Sequence, residues 1–331
     1  MNKSRRDETR SMEDRIERQV AEAVRMLGEE ASSTKIAGVY ALANIADKYK
    51  REYKQLVVDV LCGYIRTPRS NDKAVESTIT NVIKVHLLSD KHNYWKERSK
   101  LVQQINDDEL WCECNFDFHE VVFNDYVSWD HVTFAGEVSF YGAKFLYYIT
   151  FDGSFFMCNP SFRNTEFSQS ADFGNVEFHD HIGFLGTKFQ DDADFHNSFY
   201  AYGVYFDYVE FSGNVDFCTA EFKISEANDD TKALYKVDSE RNPYSAHTSF
   251  RETDFYGDAK FSEATFYCDV RFSDGFILGK ADFSQTIIKT KMEFVNIDFV
   301  DDIDVSDTPG IEFISCMWKG QEVNERNLQS E

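Results

Sequence analysis

What this chain lacks narrows it first. No window approaches the ~18 consecutive apolar residues of a membrane span, and the opening MNKSRRDETRSMEDR is charged where a signal peptide would be apolar. A cytoplasmic location is the default expectation. The seven cysteines (62, 112, 114, 158, 218, 268 and 316) include no CxxC pair, which fits reduced thiols rather than a disulfide framework. Cys112 and Cys114 stand too close together for the usual zinc spacing. GxSxG, HExxH, GxxxxGKS/T and a helix-opening GxGxxG are all missing. The chain therefore reads as a non-enzyme with no cofactor.

What is present is unevenly distributed. The 31 Phe crowd beyond residue 115, so the two halves must be built differently. Residues 1–110 hold 20 Lys and Arg against 18 Asp and Glu, a net of +2; subtraction from the totals of 35 and 58 leaves 15 against 40, a net of −25. A negative surface of that size repels nucleic-acid and membrane phosphates and favours basic protein partners or cations. Neither direct nucleic-acid binding nor a membrane span is expected.

Residues 12–108 read as a helical domain, a small bundle or armadillo-like stack. Ile16, Val20, Val24 and Leu27 recur at helical steps before Gly28, a plausible C-cap. A second helix is expected over 34–48 with Ile36, Val39, Tyr40, Ala43 and Ile45 mostly on one face. The third, 52–66, should bury Leu56, Val57, Val60, Leu61 and Ile65, and the fourth, 72–88, offers Val75, Ile79, Val82, Ile83 and Leu87. His86 and His92 read as a cap and a surface residue.

From 116 onward an internal repeat decides the architecture. Phe, or Trp129 or Tyr200 in its place, recurs from Phe118 to Phe222 at twenty positions whose spacing alternates five and six. The same beat runs from Phe250 to Val305. Two residues before each sits a small or apolar side chain, such as Val138, Ala143, Thr165, Ala171 and Val215. Inward, outward, inward is the mark of a short strand with one buried face, and a bend every five or six residues makes a four-sided coil of 22. Stacked coils then give internal columns of Phe118, Phe140, Phe162, Phe184 and Phe206, and of Phe123, Phe145, Phe167, Phe189 and Phe211. Each ring buries ~150 Å² or more, enough to offset the entropy of ordering such short strands. The expected fold is a mainly β, right-handed quadrilateral β-helix over 112–318, with a polar tail at 319–331.

Residues 223–249 break the beat. The gap from Phe222 to Phe250 equals six plus one full coil, so the stretch is either an excursion from one corner or a degenerate coil.

On the outside, Lys144, Glu166, Lys188 and Glu210 should form one column of alternating sign, a simple stabilising ladder. Asp172, Asp194 and Asp216 should form another, with no counter-charge in the column. Like charges ~4.8 Å apart are unfavourable, so that row is a candidate acidic recognition face, imitating phosphates or collecting cations, unless it only keeps an aromatic-rich rod soluble. His179, His181 and His196 lie close in sequence but are not 22 apart, so they do not stack into a metal site.

Eleven-residue double steps such as FSGNVDFCTAEF (211–222) and FYGDAKFSEATF (255–266) resemble the pentapeptide-repeat family, and the resemblance covers most of 116–305. AVRMLG (23–28), AGVYALANIA (37–46) and VVDVLCGYIR (57–66) are similar to the helical segment of some bacterial members. The resemblance implies a DNA-mimicking module that binds a basic, nucleic-acid-handling protein such as a topoisomerase. The alternative is a scaffold in which the helical domain recruits the partner and the β-helix is a rigid spacer that the helices cap.

Overall fold

The computed structural model describes residues 3–49, 51–67, 72–88, 110–223 and 247–323. Four helices come first: α1 (Lys3–Leu27), α2 (Ser32–Tyr49), α3 (Arg51–Arg66) and α4 (Lys73–Leu87). Asp72 caps α4, its side chain accepting from the Val75 N–H, which satisfies one of the orphan donors of the first turn. All five apolar residues expected to be buried on α4 are buried.

On the other helices Ile16, Leu27, Val39, Ala43, Ile45, Val57, Leu61 and Ile65 are buried as expected, whereas Val24, Tyr40 and Leu56 are exposed. Ala23 is buried while Val24 is exposed, and Val58 and Cys62 are buried while Leu56 is exposed. Tyr40 faces solvent at 58% exposure. Between α1 and α2 the reason is close packing: an added methyl at Gly38 would stand 2.9 Å from the Ala23 carbonyl oxygen, so these two helices meet through small residues. Where backbones approach that closely, large side chains are turned outward.

The remainder is a four-sided parallel β-solenoid. Its first coil carries β1 (Phe116–Asp117), β2 (Val122–Phe123), β3 (Val127–Ser128) and β4 (Thr133–Phe134), one strand per side. Each pairs in parallel with the strand 22 residues on: Phe116 with Val138, Val122 with Lys144, Val127 with Ile149, Thr133 with Phe155. Among the described residues the second, third and fourth sides grow to ten, eight and seven strands. On the first side Ser161 bridges Ser139 to Gly183 and joins the β1 pair to a six-stranded ladder.

Inside, the rings stack coil upon coil. Phe118, Phe140, Phe162, Phe184 and Phe206 follow at centroid separations of 5.3, 4.9, 5.1 and 4.8 Å. Phe123, Phe145, Phe167, Phe189 and Phe211 follow at 4.5, 5.2, 4.8 and 4.9 Å. These track the ~4.8 Å strand spacing. Neighbouring columns meet edge to face, as Phe162 does with Phe173 at 5.4 Å and 86°, the favoured geometry for ring quadrupoles.

Two diagonally opposite corners need left-handed backbone. One runs through Glu120, Gly142, Asn164, Gly186 and Tyr208, the other through His131, Gly153, Asn175, Asn197 and Thr219, all at positive φ. Gly153 is required twice over: its φ is +64°, and a Cβ there would lie 2.3 Å from His131 Nδ1. Beside these corners buried hydroxyls satisfy the coil before. Thr165, Thr187 and Thr286 donate to the carbonyls of Phe140, Phe162 and Phe261 at 2.9, 2.7 and 2.8 Å.

Across the break the register shifts by two coil lengths instead of one. Tyr205 pairs with Ser249, Phe211 with Phe255 and Val215 with Ala259, and Phe222 stacks directly on Phe266 at 4.5 Å. The flanking coils are therefore immediate neighbours. Of the expected interruption at 223–249, residues 224–246 lie outside the described residues, and the strand His247–Arg251 has already begun by its end because Thr248 fills the inward position before Phe250.

The last coil is shorter. Met292 pairs with Ile311 and Asp298 with Met317, a step of 19. Gln321–Glu322 then folds back antiparallel on Met317–Trp318, so structure continues beyond the expected start of the tail at 319; residues 324–331 lie outside the described residues.

Candidate functional site

The helices fix where the solenoid begins. An open solenoid end presents unpaired strand groups, and here α3 and α4 supply the partners. Gln55 acts like a missing strand: its Oε1 accepts from the Asn115 N–H at 2.8 Å and its Nε2 donates to the Asn115 carbonyl at 2.9 Å. Buried Glu76 accepts the Asn124 N–H at 2.6 Å, and the Trp129 indole donates to the Thr80 carbonyl at 3.1 Å. Lys84 donates to Ser128 at 2.6 Å and pairs with Asp130, whose pKa is held low against the opposing effect of burial by Lys84 and Ser128. One continuous apolar core runs from the helices into the coils.

His86 is neither a cap nor exposed. It is buried, with Nδ1 2.6 Å from the Val82 carbonyl, Nε2 3.1 Å from Asp47 and its ring stacked on Trp111 at 3.9 Å. The sequence pattern around it could not show Trp111, 25 residues away, closing over the ring. His92 lies outside the described residues.

The third side carries the predicted row. Asp172 pairs in register with Asp194, and Asp194 with Asp216. The column is longer than expected and not free of counter-charge: Asp216 faces Lys260, then Asp282 and Asp304 follow. Lys260 stands two coil lengths, 44 residues, beyond Asp216, and the doubled register at the break makes it the direct neighbour.

These aspartates also have a local task that sequence reasoning missed. Each Oδ1 accepts the N–H two residues on: Gly174 at 2.9 Å, His196 at 2.9 Å, Cys218 at 2.8 Å, Ser284 at 2.9 Å and Ser306 at 2.8 Å. The side chain thus ties down the chain as it leaves the strand. The recurring Asp-Phe dipeptide was the available signal.

Electrostatics along the row follow from this crowding. Asp172 is held above the ordinary carboxylate range by burial first, and by the charges of Asp152 and Asp194; its Oδ2 accepts from the Tyr148 hydroxyl at 3.0 Å. His196 Nδ1 lies 2.8 Å from Asp194. Burial disfavours the charged ring, but the Asp194 hydrogen bond and the charges of Asp194, Asp172 and Asp216 outweigh it and raise the His196 pKa.

Over the third side and its flanking corners, the windows 124–131, 146–153, 168–175, 190–197, 212–219, 256–263, 278–285 and 300–307 hold fifteen Asp and Glu against two Lys, Lys260 and Lys280. On the second side the expected ladder forms over four coils, Lys144 meeting Glu166 at 2.7 Å and Lys188 meeting Glu210 at 3.2 Å, exposed pairs worth ~0–1 kcal/mol. Beyond it the column turns acidic, Glu210 pairing in register with Asp254, whose pKa is raised by burial and by the charges of Glu210 and Glu252.

The three clustered histidines are not brought together. His179 sits beside the fourth side, 2.8 Å from Glu177 and against Phe155 and Phe199; His181 lies against Tyr202; His196 is on the third side. Among the described residues no group of three or more His, Cys, Asp or Glu is placed to hold a metal ion. No described helix is long and apolar enough to cross a membrane. No family model, curated protein or solved structure matches the chain.

Proposed function

We propose that this is a non-enzymatic protein-interaction module of the pentapeptide-repeat type, docking its third side on a basic protein surface. The observation that carries the reading is the excess of fifteen carboxylates over two lysines on one side of a rigid rod. Backbone N–H groups fix the Asp172, Asp194 and Asp216 side chains, so a partner meets an ordered line of charge at ~4.8 Å spacing and orders little on binding. Its sharpest form is a DNA mimic that occupies the groove of a topoisomerase.

The test uses the full chain and a variant carrying Asp172→Asn, Asp194→Asn and Asp216→Asn. An amide oxygen still accepts the corner N–H while the charge is gone. In a gyrase supercoiling assay the native chain should inhibit and the variant should inhibit less, with both effects fading as salt rises. No inhibition at a large molar excess would remove the topoisomerase version.

A second reading, recruitment through the helices, is favoured by one observation. An open groove of about 550 Å³ between α1 and α2 is rimmed by Arg15, Arg18 and Lys48. If it recruits, Arg15→Glu with Arg18→Glu should abolish partner capture by the full chain, while the Asn variant should not.

A further inference from the structure

The acidic row does not run the whole length of the third side. In the first two coils, the corner between the second and third sides is aromatic. Tyr126 is 49% and Tyr147 39% exposed, large apolar surfaces set in a charged face. Tyr126 lies parallel to Tyr148 at 5.7 Å, and the Tyr148 hydroxyl donates to Asp172, so this corner is continuous with the aspartate row.

Two intramolecular contacts show what such rings hold. Lys73 of α4 places its ammonium 4.2 Å from the centre of Tyr147. On another corner Arg251 lies 4.9 Å over Tyr208 and 3.4 Å from Asp207. Asp207-Tyr208 is thus an adjacent acid and ring that clamp one guanidinium from both sides. Asp125-Tyr126 is the same dipeptide, and among the described residues no arginine lies on its ring. A guanidinium is planar, weakly hydrated and forked, so it stacks on a tyrosine while pairing with a carboxylate, which a lysine ammonium does less well.

We propose that the Asp125-Tyr126 corner, beside the Tyr147 ring that Lys73 occupies and running into the Asp172 row, is an anchor for an arginine-rich segment of the partner protein. The proposal rests on the basic-partner reading above and adds a preference that charge alone does not give. Exposed carboxylates attract arginine and lysine alike through charge, with arginine favoured by its fork; the ring beside the carboxylate widens that difference.

The experiment is a fluorescence-anisotropy titration of the full chain with labelled oligo-arginine and oligo-lysine peptides of equal length at physiological salt. The native chain should bind the arginine peptide about fivefold or more tightly. Tyr126→Ser should bring the ratio close to one, Tyr126→Leu should lower it, and the triple Asp→Asn variant should weaken both peptides together. Equal affinities in the native chain, or a ratio untouched by the tyrosine changes, overturns the anchor and leaves the basic-partner reading standing. Binding of neither peptide overturns both. Tyr126 is half exposed and rests on Tyr148 alone among the described rings, so unchanged circular dichroism is expected for these variants.

Discussion

Replacing Phe184 by alanine tests whether the stacked rings hold the solenoid together. Phe184 is fully buried, stacked on Phe162 at 5.1 Å and Phe206 at 4.8 Å and met edge-on by Phe173 and Phe195, both at 5.6 Å. Transfer and cavity terms for a buried Phe→Ala come to ~3–5 kcal/mol. Phe313 in the last coil is the control: half-buried, stacked on Phe294 at 5.3 Å, and with no described coil beyond it. Its truncation should cost less, about 1–2 kcal/mol, because the ring is only partly buried and stacks on one neighbouring ring instead of two. Urea unfolding followed by fluorescence gives the two losses, and native-state hydrogen exchange locates them, with amides of the coils around 162–206 deprotected only in Phe184→Ala. If Phe184→Ala does not fold, Phe184→Leu should still cost more than Phe313→Leu. Equal losses at the two positions would refute the argument that each ring is held by the coil on either side.

Three other outcomes follow from named contacts. Thr187→Val removes the donor to the buried Phe162 carbonyl and should destabilise by ~1–2 kcal/mol in the same unfolding assay, with Thr187→Ser close to native. Tyr200→Phe should stay within about 1 kcal/mol of native, because the Tyr200 hydroxyl is buried with the Ser198 hydroxyl near it but no well-formed hydrogen bond among the described residues. His196 has a folded pKa above its ordinary value, so its contribution is fully present below an unfolded pKa of ~6.5 and is lost as pH rises through the folded one. The ring is substantially exposed, so screening limits the effect to a few tenths of a kcal/mol; His196→Asn should flatten the melting temperature against pH on the alkaline side of ~6.5, and an unchanged slope would count against the assignment.

The solenoid was legible because its signal is periodic and its physics local. Phe140, Phe162 and Phe184 are 22 apart, and any chain that bends four times per coil must stack them. The helices were legible as elements but less so by face: Val24 follows the apolar step yet is exposed on a helix that meets its neighbour closely at Gly38, and Leu56 is exposed while Val58 and Cys62 beside it are buried. Partners distant in sequence were not legible at all. Trp111 over His86, Gln55 beside Asn115 and Glu76 under Asn124 join segments whose separation carries no period.

The aspartate row shows where pattern reading alone misassigns a cause. From the sequence, a line of like charges looked like a cost that only recognition could justify. In the structure each carboxylate first closes a corner through the N–H two residues on, a task Thr150 performs in an earlier coil by accepting the Asp152 N–H at 3.1 Å. A hydroxyl serves that geometry without charge. The corner therefore explains a short acceptor at Thr150 and at the five aspartates, though not Lys260, and does not explain why most of those acceptors are ionised. What remains after the corner is accounted for is the choice of aspartate over threonine in five of the eight described third-side strands, from Asp172 to Asp304, and that choice concentrates field on one side of the rod.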